Sequence, residues 1–113
     1  MFNLFGSKVP QIDVTDVKNA VESHNEKFIL LDVRTTGEYS KGKIACSINL
    51  PLDQVGEKIT TIIPDKNSLV YVFCLSGSRS ESAAQIMIKL GYTKVFNMTS
   101  GMLAWRAKGY KVE

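Results

Sequence analysis

The stretch LVYVFCLSGSRS, residues 69–80, decides the fold of this chain. Its first part, residues 69–74, is an unbroken apolar run typical of a strand that is buried on both faces. Cys74 closes the run, a loop of small residues follows, and Arg79-Ser80 opens a helical pattern. Loop N–H groups and the positive end of a helix both stabilise negative charge. The stretch therefore predicts an activated thiol at a strand end, beside a loop suited to hold an anion.

The residues that follow Cys74 each have a candidate role in that loop. Gly77 permits the positive φ that a tight curl requires. Serine hydroxyls can donate hydrogen bonds to sulfur, and the Arg79 guanidinium can bind an anion or brace the loop. The candidate loop consists of Leu75, Ser76, Gly77, Ser78, Arg79 and Ser80.

The rest of the chain alternates strand-like and helix-like patterns, which predicts an α/β fold with a mainly parallel sheet of four or five strands and helices between them. Residues 28–33 form a second buried run. In open parallel sheets, ligands bind beyond the carboxyl ends of the strands. Asp32, Cys74 and the turn after Asn97 all lie at such ends, so we expect them to surround one pocket.

Helix boundaries also have sequence signals. Asp13 is a predicted N-cap, and Gly42 is expected to end a short helix over residues 35–41. A short strand is expected over residues 47–50, and Trp105 is expected to anchor the last helix in the core. The inner face of a helix that follows Pro51 is predicted to contain Leu52, Val55, Ile59 and Ile62.

Composition indicates one globular domain. The chain has 113 residues, 44% of them hydrophobic, and a net charge of +3. No basic run predicts nucleic-acid or membrane binding, and no secretory leader is recognisable. We therefore expect a cytoplasmic protein with both cysteines reduced, a short tail over residues 1–8 and a domain over residues 9–113. The single histidine, His24, is expected at an exposed helix end, which argues against a metal site; no metal and no cofactor are expected.

Three segments in the same order resemble the rhodanese family. The first is the Cys74 loop. The second is Asp32-Val33-Arg34 with Glu38-Tyr39, followed by Gly42-Lys43-Ile44 and Asn49-Leu50-Pro51, which resembles the family's first signature. The third, residues 100–105, resembles its C-terminal signature. The resemblance runs from about Val9 to the C-terminus.

The resemblance implies a single rhodanese-like domain, with a small parallel sheet flanked by helices, that acts as a sulfurtransferase. Cys74 would be the nucleophile and would take sulfane sulfur from thiosulfate or a persulfide as a cysteine persulfide. It would then pass the sulfur to cyanide, to a thiol or to a partner protein. The expected partners are thus a small anionic sulfur donor and a thiol acceptor, with no nucleic acid and no membrane.

Two other functions stay open. Related phosphatases have a longer loop than the four residues between Cys74 and Arg79, so a phosphatase or arsenate reductase is the less favoured enzyme. A non-catalytic interaction or regulatory module of the same fold is the other alternative, although many such modules lack the cysteine that this chain keeps.

Other residues have candidate supporting roles outside the loop. Asp32 is expected to satisfy backbone donors or to orient the loop. Arg34 and Glu38 are spaced for a surface ion pair. Cys46 is expected to pack in a turn, or else to act as a resolving thiol for Cys74. The chain departs from the family pattern at Lys43, Cys46 and Ser100, where histidine, glycine and glycine respectively are usual.

Overall fold

The structure is a computed structural model and describes residues 9–113, so the predicted tail over residues 1–8 lies outside the described residues. Within residues 9–113, five strands and five helices follow one another. The elements are β1 (Gln11–Ile12), α1 (Val14–Ser23), β2 (Ile29–Asp32), α2 (Thr36–Lys41), β3 (Ile48–Asn49), α3 (Leu52–Ile62), β4 (Leu69–Phe73), α4 (Ser78–Lys89), β5 (Lys94–Met98) and α5 (Gly101–Ala107).

The five strands form one parallel sheet in the order β1-β5-β4-β2-β3. This confirms the predicted α/β architecture. The predicted run that ends at Cys74 is the central strand, β4, which pairs with β2 on one side and β5 on the other. Asp32 is in register with Phe73, and Val72 with Asn97, so the carboxyl ends of these strands share one edge of the sheet.

Alternate residues of the central strands enter two different cores, as the two-residue period of a strand requires. Val70 and Val72 face the cluster that contains α3 and α4. Tyr71 and Phe73 face the cluster that contains α1 and α5, where Trp105 is 2% exposed. Helices therefore cover both faces of the sheet, which explains why residues 69–74 are apolar without interruption.

The structure corrects the predicted elements at several positions. Strand β1 has no sequence signal because it contains only two residues, and the strand expected over residues 47–50 is limited to Ile48–Asn49. Ile62 does not belong to the inner face of α3: it is 37% exposed, and Ile63 takes the buried place. The helix ends at Ile62. The backbone of Ile63 is no longer helical, with φ at −124°, so the Ile63 side chain turns inward.

Helix α5 begins directly against the loop that follows β4. The Met102 N–H donates to the Cys74 carbonyl at 2.9 Å, and the Leu103 N–H donates to the Leu75 carbonyl at 3.0 Å. Gly101 makes this approach possible, because its φ is +43° and a Cβ there would lie 2.2 Å from the Cys74 carbonyl oxygen. The start of α5 and the loop are therefore in backbone contact, with no room for a side chain between them.

We predict that Gly101→Ala lowers the free energy of unfolding by more than about 2 kcal/mol, because the new methyl group overlaps backbone that cannot move aside cheaply. The matched control is Gly56→Ala in the interior of α3, where the new Cβ would be 3.8 Å from its nearest neighbour. That substitution is expected to stabilise the protein by about 0.5–1 kcal/mol. Urea unfolding of both variants checks the pair; equal effects would contradict the close approach at Gly101.

Candidate functional site

Cys74 lies one residue beyond the end of β4, at the edge of the sheet predicted for a ligand site. Its exposed fraction is 0%. The neighbouring strand is close, since the Val33 N–H donates to the Phe73 carbonyl at 2.9 Å. The Cys74 sulfur is therefore buried at this edge of the sheet.

Backbone and side-chain groups of the loop converge on this sulfur. The Gly77 N–H donates to Cys74 Sγ at 3.1 Å, and the Ser80 N–H does so at 3.4 Å. Ser80 Oγ lies 3.4 Å from the same sulfur. The loop thus forms a ring of hydrogen-bond donors around one atom, as the sequence predicts.

The balance of these interactions lowers the pKa of the Cys74 thiol. Burial raises the pKa of the Cys74 thiol. The Ser80 hydroxyl and the N–H groups of Ser80, Gly77 and Ser76 lower it, and together they outweigh burial, so the pKa of Cys74 lies below the ordinary value for cysteine. A thiolate is the nucleophilic form of cysteine, so this environment activates the thiol.

The loop can curl because of Gly77, whose φ is +113°. Helix α4 starts immediately afterwards, at Ser78 rather than at Arg79 or Ser80 as the sequence pattern indicates. Its twelve residues aim the positive end of the helix dipole at the loop. Ser76 and Ser78 are exposed. In the part of the chain that the structure describes, neither of their hydroxyl groups forms a hydrogen bond with the Cys74 sulfur.

Arg79 forms an ion pair with Glu38, the residue that the sequence analysis pairs with Arg34. Its two terminal nitrogens lie 2.7 and 3.0 Å from the two carboxylate oxygens of Glu38 in α2. The Arg79 hydrogen bond lowers the pKa of Glu38 to about 2, with help from Thr35 against the opposing effect of burial. A bidentate pair of this kind fixes the Arg79 side chain and joins the loop to α2.

The expected surface ion pair between Arg34 and Glu38 is therefore wrong. Arg34 is 2% exposed and binds the carboxylate of Asp32, with Nη2–Oδ2 at 2.7 Å and Nε–Oδ1 at 3.0 Å. Arg34 also donates from Nη2 to the Gly42 carbonyl at 2.7 Å. Asp32 further accepts from the Arg34 N–H at 2.9 Å. Asp32 thus accepts a backbone N–H as well as the Arg34 guanidinium, and the two side chains bind each other.

Cys46 lies away from the site. It lies in a turn, as expected, with φ at +67°, but its side chain is exposed rather than packed. It lines a cleft of about 1040 Å³ together with Leu69 and Lys94, the first residues of β4 and β5. Both Cys46 and Cys74 are free thiols.

Asn97 is the residue of the site that the sequence analysis uses only as a strand end. It is 4% exposed, and its Oδ1 lies 2.5 Å from Ser80 Oγ. The available signal was its position: a polar residue closing a buried strand beside the Cys74 loop.

Over residues 9–113, no group of three or more His, Cys, Asp and Glu side chains is placed to hold a metal ion. The same range contains no helix with the length and hydropathy of a membrane span.

Known proteins with sequences similar to this chain have names that concern sulfur transfer. The putative sulfur carrier protein YrkF of Bacillus subtilis is 37% identical over 90% of this chain and 54% of its own length. The thiosulfate sulfurtransferase PspE of Escherichia coli is 42% identical over 59% of this chain and 64% of its length. The chain therefore spans only about half to two thirds of these two relatives.

A solved structure of a rhodanese-related protein from Thermoplasma volcanium superposes with a TM-score of 0.80, at 29% identity, over 92% of this chain and 97% of that one. The family model for the rhodanese-like domain matches residues 13–108. That range includes the Cys74 loop, both of the flanking segments and all but the first strand of the sheet. The chain belongs to the rhodanese-like family, whose members similar to it include proteins named as sulfurtransferases.

Proposed function

We propose that this chain is a sulfurtransferase that carries sulfane sulfur as a persulfide on Cys74. The donor is thiosulfate or a persulfide, and the acceptor is a thiol or another thiophilic molecule in a reducing cytoplasm. The observation that supports this most directly is the ring of Gly77 and Ser80 N–H groups around Cys74 Sγ, at 3.1 and 3.4 Å.

The transfer has two steps. The Cys74 thiolate attacks the outer sulfur of thiosulfate, a sulfur–sulfur bond forms, and the bond within thiosulfate breaks as sulfite leaves with its electron pair. The acceptor then attacks the terminal sulfur of the persulfide, and the Cys74 thiolate leaves. Covalent catalysis thus divides one exchange into two easier ones.

The loop suits both anionic states of this cycle. The thiolate and the persulfide each carry a negative charge that hydrogen-bond donors stabilise, and donors fixed by a folded loop need no reorganisation. Four residues separate Cys74 from Arg79, which makes a small ring. A sulfur atom needs less room than a tetrahedral phosphate, so the loop favours sulfur transfer over phosphate hydrolysis.

Arg79 supports this site as a brace. Both terminal nitrogens of its guanidinium donate to the Glu38 carboxylate. The negative charge of Glu38 neutralises most of the positive charge that Arg79 would otherwise offer to an anionic donor. The position of Arg79 at the start of α4 transmits this restraint to the loop. We propose that bracing, rather than direct capture of the donor, is its resting role.

The complete burial of Cys74 favours a second candidate, a non-catalytic interaction module of the same fold. In that case the sulfur would be a core atom and the loop a structural turn. The lowered pKa of the thiol argues for the enzyme, because a core cysteine without donors has a raised pKa. The adduct experiment separates the two candidates.

We predict that incubation with thiosulfate adds the mass of one sulfur atom to Cys74, because the cradled thiolate attacks and retains sulfane sulfur. Intact-protein mass spectrometry detects the adduct, and peptide mapping locates it. Cyanide should then remove it and yield thiocyanate.

The control is Cys46→Ser, which retains Cys74 and should form the adduct as the wild type does. Cys74→Ser should form none. An adduct that persists in Cys74→Ser, or no adduct and no thiocyanate in the wild type, would exclude the proposed transfer. Hydrolysis of an aryl phosphate without sulfur transfer would instead favour the phosphatase alternative.

The Glu38–Arg79 pair makes a further prediction about stability and pH. The folded pKa of Glu38, about 2, is below its ordinary value of 4.5, so its contribution is complete above pH 4.5 and is lost as the pH falls towards 2. Glu38→Gln keeps a side-chain oxygen for the helix cap at Thr35 but removes the charge. It should cost about 1 kcal/mol at pH 7, after allowance for solvent screening, and almost nothing at pH 2.

Urea unfolding at both pH values measures this difference. The matched control is Glu22→Gln, which removes the charge from the exposed Lys18–Glu22 pair on α1 and should cost no more than about 0.5 kcal/mol at pH 7. A cost for Glu38→Gln that does not decrease with pH would mean that the ion pair is not its cause.

A further inference from the structure

The Ser80 hydroxyl has one proton and three neighbouring acceptors. Its oxygen lies 2.5 Å from Asn97 Oδ1, 3.1 Å from the Gly77 carbonyl oxygen and 3.4 Å from Cys74 Sγ. The contact with Asn97 is the shortest, and the contact with sulfur is the longest. The hydroxyl can donate fully to only one of them.

The orientation of the Asn97 amide follows from its other contacts. Its Nδ2 lies 3.0 Å from Gln11 Oε1, 3.2 Å from Glu81 Oε1 and 3.4 Å from the Gly77 carbonyl oxygen. A carboxylate and a carbonyl only accept hydrogen bonds, so the nitrogen must face them. The amide oxygen therefore faces Ser80 and accepts its proton.

This arrangement suits the protonated state of Cys74. While Ser80 donates to Asn97, its oxygen presents a lone pair to the sulfur, and the thiol S–H can donate to it. When the thiolate forms, the S–H donor is lost, and the best use of the Ser80 proton is to turn towards the sulfur. Asn97 and the thiolate therefore compete for one proton.

We propose that Asn97 is a positioning residue that holds the Ser80 hydroxyl proton away from the Cys74 sulfur and so sets the pH at which the nucleophile ionises. The proposal rests on the proposed function in one respect: the ionised Cys74 is the nucleophile of the proposed sulfur transfer. The thiolate gains its Ser80 hydrogen bond only by breaking the one between Ser80 and Asn97.

The charged groups around the loop lie on α4, on α2 and beside β2, and most of them form ion pairs. Arg79 and Glu81 lie on α4, and Glu38 on α2 neutralises Arg79. On the side of β2, Asp32 and Arg34 neutralise each other. Substitution at Asn97 removes none of these charges, although it frees Glu81 Oε1 from one donor. Changes in thiol ionisation can therefore be assigned by comparison with a Ser80 variant.

The experiment measures the midpoint of thiolate formation from its ultraviolet absorbance, in a Cys46→Ser background so that Cys74 alone contributes. We expect Asn97→Ala to lower the midpoint by about 0.5–1 pH unit, because the freed Ser80 proton turns to the sulfur. Ser80→Ala should raise the midpoint, because a donor is lost. An unchanged or raised midpoint in Asn97→Ala would overturn the proposal.

The double variant separates competition from loosening of the loop. Without the Ser80 hydroxyl there is no proton to redirect, so Asn97→Ala should shift the midpoint by less than about 0.2 pH unit in a Ser80→Ala background, as expected for independent effects. A shift that persists there would mean that Asn97 acts through the loop or through Glu81, and would also overturn the proposal.

Thermal unfolding verifies that each variant folds. If Asn97→Ala does not, Asn97→Leu keeps the side-chain volume without the acceptor and should give the same downward shift. The titration requires no turnover, so its outcome is independent of the thiosulfate adduct. A lowered midpoint without an adduct would support the competition and reject the sulfurtransferase, whereas an adduct with an unchanged midpoint would do the reverse.

Discussion

The backbone contact between the Cys74 loop and the start of α5 determines the chemistry at the sulfur. Helix α5 binds the Cys74 and Leu75 carbonyls through the Met102 and Leu103 N–H groups. In a planar trans peptide the carbonyl and the following N–H point in opposite directions. With the Leu75 carbonyl turned to α5, the Ser76 N–H is turned to the sulfur, where it contributes to the lowered pKa of Cys74.

The same contact explains why the functional features are far apart in the sequence. Gly77 supplies the curl of the loop, and Gly101 supplies the space for α5 to approach it. Ser100, which precedes Gly101, adopts a φ of +60° without being glycine. A left-handed residue of this type costs about 1–2 kcal/mol. The fold accepts this cost because the approach of α5 satisfies loop carbonyls that would otherwise lack partners within a buried edge.

Sequence patterns predicted the sheet and the curled loop around Cys74 because both depend on local signals. The apolar run that ends at Cys74 and the small residues after it predict a strand and a curled loop. The side-chain partners were harder to predict. Arg34 and Glu38 have helical spacing, yet Arg34 precedes the N-cap Thr35, so its side chain is not on the helix and turns back to Asp32. Pairing across elements has no periodicity that a sequence displays.

Asn97 shows the same limit. Its place at a strand end was visible, but its contact with Ser80 depends on how β5 lies against α4, and the orientation of its amide depends on Gln11 and Glu81. These residues come from three separate parts of the chain. Only the three-dimensional structure brings them together, and the number of possible partners for each polar side chain is too large for spacing to select among them.

The two thiols differ in a way that protects both from oxidation. Attack by peroxide requires a thiol that is both ionised and open to solvent. Cys74 has the lowered pKa but no exposed surface, whereas Cys46 is exposed but has a pKa raised by partial burial and by Glu113. Neither residue combines the two conditions at rest. Any access that opened the Cys74 sulfur to a reactant would open it to oxidants as well.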